Sequence, residues 1–143
     1  MNKMFIIFST AFFVISFSGI SHANEAFRTL PNGLEYKDLK VGQGDEAQLG
    51  DVVKIHFVGW VDNEGKPGKE IFNSRMEKQP VSFLVGTEKV MQGWNEGVIG
   101  MLAGGTRMLR IPPALGYGAK AVEDIVPPNS HLLFIIELLE VTK

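Results

Sequence analysis

The chain has 143 residues, 45% of them hydrophobic and 21% charged, an ordinary composition for about one folded domain. This excludes a disordered, collagen-like or multi-span membrane protein. A net charge of −2 offers no basic stripe to nucleic acid, and the lack of cysteine removes disulfides, thiolate metal sites and Cys nucleophiles.

The first segment reads as an address. Lys3 gives a short positive start, Met4 to Ile20 is almost wholly apolar, and Ser21-His22-Ala23 forms a small-x-small site. This is the layout of a secretory signal peptide over residues 1–23, cut after Ala23. The alternative, an uncleaved anchor, fits less well. A span takes about 20 residues, and Ser9, Thr10, Ser16 and Ser18 interrupt the run. The expected location is the periplasm or the exterior, with no stable membrane insertion after cleavage.

Residues 24–32 are expected to be a flexible lead-in, with the folded domain over 33–143. Leu34 to Val41 reads as a strand and Gly42 to Gly50 as a turn. Asp51 to Val61 is β-branched and aromatic, a strand. Asp62 to Lys69 holds Asn-Glu-Gly and Pro-Gly, a loop or hairpin tip, and Ile71 to Asn73 pairs back as the second arm. Pro80 to Val85 is a short apolar strand. Val90, Met91, Trp94, Val98 and Met101 fall on one face of a 3.6-residue period, predicting a helix with Thr87 as cap and Glu88 in its first turn. Gly93 and Gly97 each weaken that helix by about 1 kcal/mol relative to Ala. Either packing holds it, or something approaches closely where the side chains are missing. Gly104-Gly105 ends it. Thr106 to Ile111 is a strand, Pro112 to Pro128 a long loop, and Leu132 to Val141 a final strand. Several strands and one short helix predict an α+β domain with a mostly antiparallel sheet.

Reactive chemistry has little support. His56 and His131 lie in or beside strands, where histidine is usually structural, and no Gly-x-Ser-x-Gly elbow is present. No histidine pair has ligand spacing. No metal or cofactor is therefore expected. What stands out is aromatic density: Phe57, Phe72, Phe83, Trp94, Tyr117 and Phe134 come from six separate elements. Each taken alone is most simply a core residue.

The surrounding motifs change that reading. Val-Lys-Ile-His-Phe-Val-Gly (53–59), Glu-Ile-Phe-Asn-Ser (70–74), Pro-Val-Ser-Phe (80–83), Val-Met-Gln-Gly-Trp-Asn-Glu-Gly (90–97), Ile-Pro-Pro-Ala-Leu-Gly-Tyr-Gly (111–118) and Val-Pro-Pro-Asn-Ser-His-Leu-Leu-Phe (126–134) occur in this order. From about Gly33 to Lys143 the chain resembles the FKBP-type peptidyl-prolyl cis-trans isomerases. The resemblance implies an antiparallel sheet half-wrapped around one short α-helix, with an apolar pocket between them. Trp94 would be the pocket floor. Phe57, Phe72, Phe83 and Phe134 would be its walls, helped by Val81, Val90 and Val126. Met91 would offer its backbone N–H to a substrate carbonyl, and Tyr117 its hydroxyl. Implied partners are proline-containing unfolded or folding polypeptides and the macrolide inhibitors of the family. A short lead-in without a dimerisation helix points to a monomer.

Two residues depart from the family pattern together: Phe57 stands where the family usually has Tyr, and Asn73 where it usually has Asp. In the family those two polar groups are associated, so Phe57, Asn73 and Tyr117 are the residues on which the rate is expected to turn. The segment between Gly59 and Phe72 is longer than in short family members, and the one after Phe72 about one residue shorter. The loop carrying Val122, Glu123 and Asp124 also differs. The competing reading is a non-catalytic chaperone or peptide-binding module that uses the same pocket.

Overall fold

Inward-facing residues alternate along the three central strands, and this alternation builds the sheet. In the computed structural model, which describes residues 26–143, β3 (Val52–Asn63) buries Val53 and Ile55, β6 (Thr106–Ile111) buries Leu109 and Ile111, and β7 (Leu132–Thr142) buries Phe134, Ile136 and Leu138. Period-2 burial of this kind gives each strand one core face. The remaining strands are β1 (Arg28–Thr29), β2 (Glu35–Lys40), β4 (Lys66–Asn73) and β5 (Val81–Leu84). All pairings are antiparallel, in the order β1-β2-β6-β7-β3-β4, with β5 joined to β3. β3 therefore carries β4, β5 and β7 along its length.

A single α-helix, α1 (Gln92–Val98), lies against β6. Its two glycines explain how closely. A β-carbon at Gly93 would meet Ile111 Cγ2 at 2.6 Å, and one at Gly97 would come closer than 3.0 Å to Leu109. The close approach outweighs the propensity cost of glycine. Arg107, buried on the same face of β6, fixes the far end of the helix. Its Nη1 donates to the carbonyls of Gly97 and Ile99 at 3.0 Å each, and its Nε donates to Asp38 at 2.7 Å. A cation on otherwise unpaired C-terminal carbonyls is favourable to a helix.

One expectation is corrected and two are refined. The helix begins at Gln92, not near Thr87, and it has no side-chain cap and no acidic residue in its first turn. Thr87 instead accepts the N–H of Lys89, two residues on, which makes a local turn. The segment 62–69 is mostly strand. β3 and β4 run to a two-residue turn at Glu64-Gly65, both with positive φ (55° and 86°), and Asp62 accepts the Gly65 N–H at 2.9 Å. Within the lead-in, Arg28 and Thr29 pair with Tyr36 and Glu35. The signal-peptide reading of residues 1–23 falls outside the described residues.

Candidate active site

Trp94 projects from α1 onto the aromatic residues of the sheet. It meets Phe57 edge-on with ring centroids 4.6 Å apart and Phe134 at 5.4 Å, and it packs tilted against Phe83 at 5.9 Å. Such pairs contribute about 0.5–1.5 kcal/mol each beyond burial, so the indole is locked in place. Its Nε1 is buried without a hydrogen-bond partner, a cost of about 1–3 kcal/mol.

Above the indole is a hollow of about 260 Å³. Phe57 from β3 and Phe72 from β4 form one side. Val90 and Met91, just before α1, form another, with Tyr117 and Lys89 completing the rim. A second hollow of about 500 Å³ shares Phe57 and Phe72 and runs along Ile71, Asn73, Met76, Pro80 and Val81. Six of the sequence-predicted residues therefore meet at the indole, and Val81 and Asn73 lie next door. Phe83, Phe134 and Val126 were expected as walls, but they are 7%, 0% and 1% exposed. They lie in the core, with Phe83 and Phe134 packed on the indole, because their strand and bridge positions turn them toward the packed centre. Asn73 uses its Oδ1 locally, accepting the N–H of Arg75 at 3.0 Å.

Tyr117 sits in the long loop. The loop is held where the Gly118 N–H donates to Pro113 O at 2.8 Å and the Asn129 N–H to Gly118 O at 2.7 Å. The bridge between Val122 and Val126 braces it further. Burial pushes the Tyr117 phenol above its ordinary value, because desolvation disfavours the phenolate. The hydroxyl stays protonated, a donor, across neutral pH. The Met91 N–H makes no backbone hydrogen bond among the described residues.

Two polar residues that the sequence reading passed over hold this arrangement. Ser74, 4% exposed, accepts the Phe57 N–H at its Oγ (2.8 Å) and lies 2.9 Å from His56 Nδ1. Asn95, 3% exposed, accepts the Gly86 N–H and donates to Thr87 O, both at 2.7 Å. It ties the turn before Val90 to the helix. An Asn beside Trp94 on the buried face was the available signal. Among the described residues, no group of three or more His, Cys, Asp or Glu is placed to hold a metal ion, and no helix is long and apolar enough to cross a membrane.

Comparison with known proteins points the same way. The family described as "FKBP-type peptidyl-prolyl cis-trans isomerase" matches residues 44–139. An FK506-binding protein of Neisseria meningitidis serogroup B is 39% identical over 109 residues, covering 76% of this chain and 96% of that protein. The peptidyl-prolyl cis-trans isomerase FKBP53 of Arabidopsis thaliana is 41% identical over 116 residues. The match covers 80% of this chain but only 24% of that longer protein. The crystal structure of AtFKBP13 superposes with a TM-score of 0.73 at 37% identity, covering 80% of this chain and 98% of that one. That of FkpA from Escherichia coli gives 0.72 at 35%, covering 86% and 55%.

Proposed function

This chain belongs to the family of FKBP-type peptidyl-prolyl cis-trans isomerases, and from that premise we propose that it accelerates X–Pro isomerisation during folding of secreted proteins by drawing the prolyl bond into the hollow above Trp94. The family sets the reaction class. The hollow supports the mechanism, and the export-like residues 1–23 support the setting in the periplasm or outside the cell.

The barrier to peptide rotation is about 18–20 kcal/mol because resonance gives the C–N bond double-bond character. Resonance also places negative charge on oxygen, which water stabilises. In the twisted transition state that polarity is lost. A pocket that replaces water with aromatic and aliphatic surface therefore disfavours the planar form relative to the twisted one, which is differential binding of the transition state. Every tenfold in rate requires only about 1.36 kcal/mol. No proton moves and no bond breaks, so the residues have positioning roles. Trp94 receives the prolyl ring, which has no N–H to strand. Phe57, Phe72 and Val90 exclude water. The Met91 N–H and the Tyr117 hydroxyl hold substrate carbonyls beside the prolyl amide. The single observation that carries this reading is the apolar hollow floored by Trp94 with one protonated phenol at its edge.

A binding module without catalysis is the second reading. What favours it is the adjoining 500 Å³ hollow with Met76, 75% exposed, at its lip, a flexible apolar surface suited to holding varied segments. The isomerisation rate of a short X–Pro peptide separates the two. Acceleration over buffer at micromolar protein is the expected result. Retained peptide binding with no acceleration would establish the module instead.

A further inference from the structure

The hollow above Trp94 has one charged residue in its lining, Lys89, and the adjoining hollow has Glu70 and Glu77. Phe57 and Phe72 form the wall between them. None of the three charges has an ion-pair partner among the described residues, whereas Arg75, Arg107, Arg110 and Lys143 are all paired. Each is also carried on a fixed backbone. The Lys89 N–H donates to Thr87 Oγ1 at 3.2 Å, in the turn that Asn95 clamps to α1. Glu70 lies in β4 opposite Trp60. Glu77 sits in a turn held by the Met76 and Lys78 N–H groups on Asn73 O and Arg75 O, each at 3.1 Å. The neighbouring charges Glu88 and Lys78 line neither hollow.

We propose that this site reads charge on both sides of the prolyl bond, favouring peptides with an acidic residue toward Lys89 and a basic residue toward Glu70 and Glu77. This deepens the isomerase reading and rests on it. Apolar walls with low polarisability focus the field of charges at their rim, and a prolyl ring seated on Trp94 brings its flanking residues over the two hollows. A substrate with the reversed order meets like charges at both ends.

The test uses two peptides of identical composition, one Glu-Ala-Pro-Phe-Lys and one Lys-Ala-Pro-Phe-Glu, with an uncharged Gln version as the reference for each protein variant. At low ionic strength kcat/KM for the two charged peptides is expected to differ by about two- to fivefold, the range of exposed ion pairs. The difference should collapse near 1 M salt, where the screening length is about 3 Å. Lys89→Gln should reduce it, and Lys89→Glu combined with Glu70→Lys and Glu77→Lys should invert it. Equal rates for both orders, or a preference that survives the charge reversal, would overturn the proposal while leaving isomerisation intact. Absence of acceleration on all three peptides would instead overturn the isomerase reading.

Discussion

Gly59 on β3 and Phe134 on β7 are direct partners across the sheet, and the phenyl ring fills the space that a side chain at Gly59 would need. A β-carbon there would come closer than 3.0 Å to the ring. Phe134 in turn backs Trp94. Gly59→Ala should therefore destabilise the fold by about 1–3 kcal/mol, the usual cost of overpacking, and should also displace the indole. Urea denaturation measures the first effect. Tryptophan fluorescence of the folded variant reads the second, with Trp60 replaced by Phe to isolate Trp94.

Helix propensity and tertiary contact make opposite predictions for the glycines of α1. In an isolated helix, Gly93→Ala or Gly97→Ala would stabilise by about 1 kcal/mol. Here each β-carbon meets Ile111 or Leu109, so a loss of stability is expected in urea, again about 1–3 kcal/mol. A gain in stability would mean that the helix stands further from β6 than described.

Trp94→Leu removes the floor of the hollow, and Tyr117→Phe removes one donor. For Tyr117→Phe the expected drop in kcat/KM is about five- to tenfold, equivalent to a hydrogen bond of about 1 kcal/mol. Trp94→Leu should cost more, because the wall geometry depends on the indole. Full activity in both variants would place the chemistry elsewhere.

The pH profile follows from the direction in which Tyr117 is shifted. Its folded value is raised by burial, so the donor form persists throughout the neutral range and is lost only as pH rises through that raised value. The rate on an uncharged peptide is expected to show no Tyr117-dependent limb between pH 6 and about 9. Stability has a separate acid dependence at Asp51. Its carboxyl is held below its usual value chiefly by the hydrogen bond from Lys143 at 2.9 Å. That stabilisation is present above the unfolded value and disappears as pH falls through the folded one. Asp51→Asn should weaken the protein at pH 7, and the difference from the parent should shrink as pH falls below the usual carboxylate range, measured by urea midpoints along that range.

Asn95→Leu keeps the branched heavy-atom shape of the side chain and removes both hydrogen bonds. The Gly86 N–H and Thr87 carbonyl lose their partners, at a cost of about 1–3 kcal/mol. Because the same turn leads into Val90 and Met91, KM for a prolyl peptide should rise more than kcat falls. A purely structural loss would lower the midpoint and leave KM alone.

How much of this could be read from the chain differs from residue to residue. Strands such as Thr106–Ile111 and Leu132–Thr142 declare themselves by alternation. Trp94 and the surrounding aromatic residues declare themselves by motif. The start of α1 was missed because Thr87 satisfies a nearby N–H in a turn, and a local spacing rule cannot tell that turn from a cap. The strand character of 66–69 was hidden because Lys-Pro-Gly-Lys reads as loop, although hairpin pairing with β3 across the Glu64-Gly65 turn overrides that preference. Which aromatics face the hollow and which lie beneath it depends on strand register, and register is set across the sheet. Ser74 and Asn95 escaped for a related reason. Their partners, Phe57 and the 86–87 turn, become neighbours only after folding.

β7, the last of the described strands in chain order, lies between β3 and β6. During vectorial synthesis β3 and β6 are thus available before the segment that joins them, and Trp94 has no Phe134 behind it until β7 emerges. Loop-closure entropy over that separation makes such a topology slow to assemble. A nascent chain would therefore leave the aromatic surface around Trp94 uncovered by Phe134 until β7 has emerged.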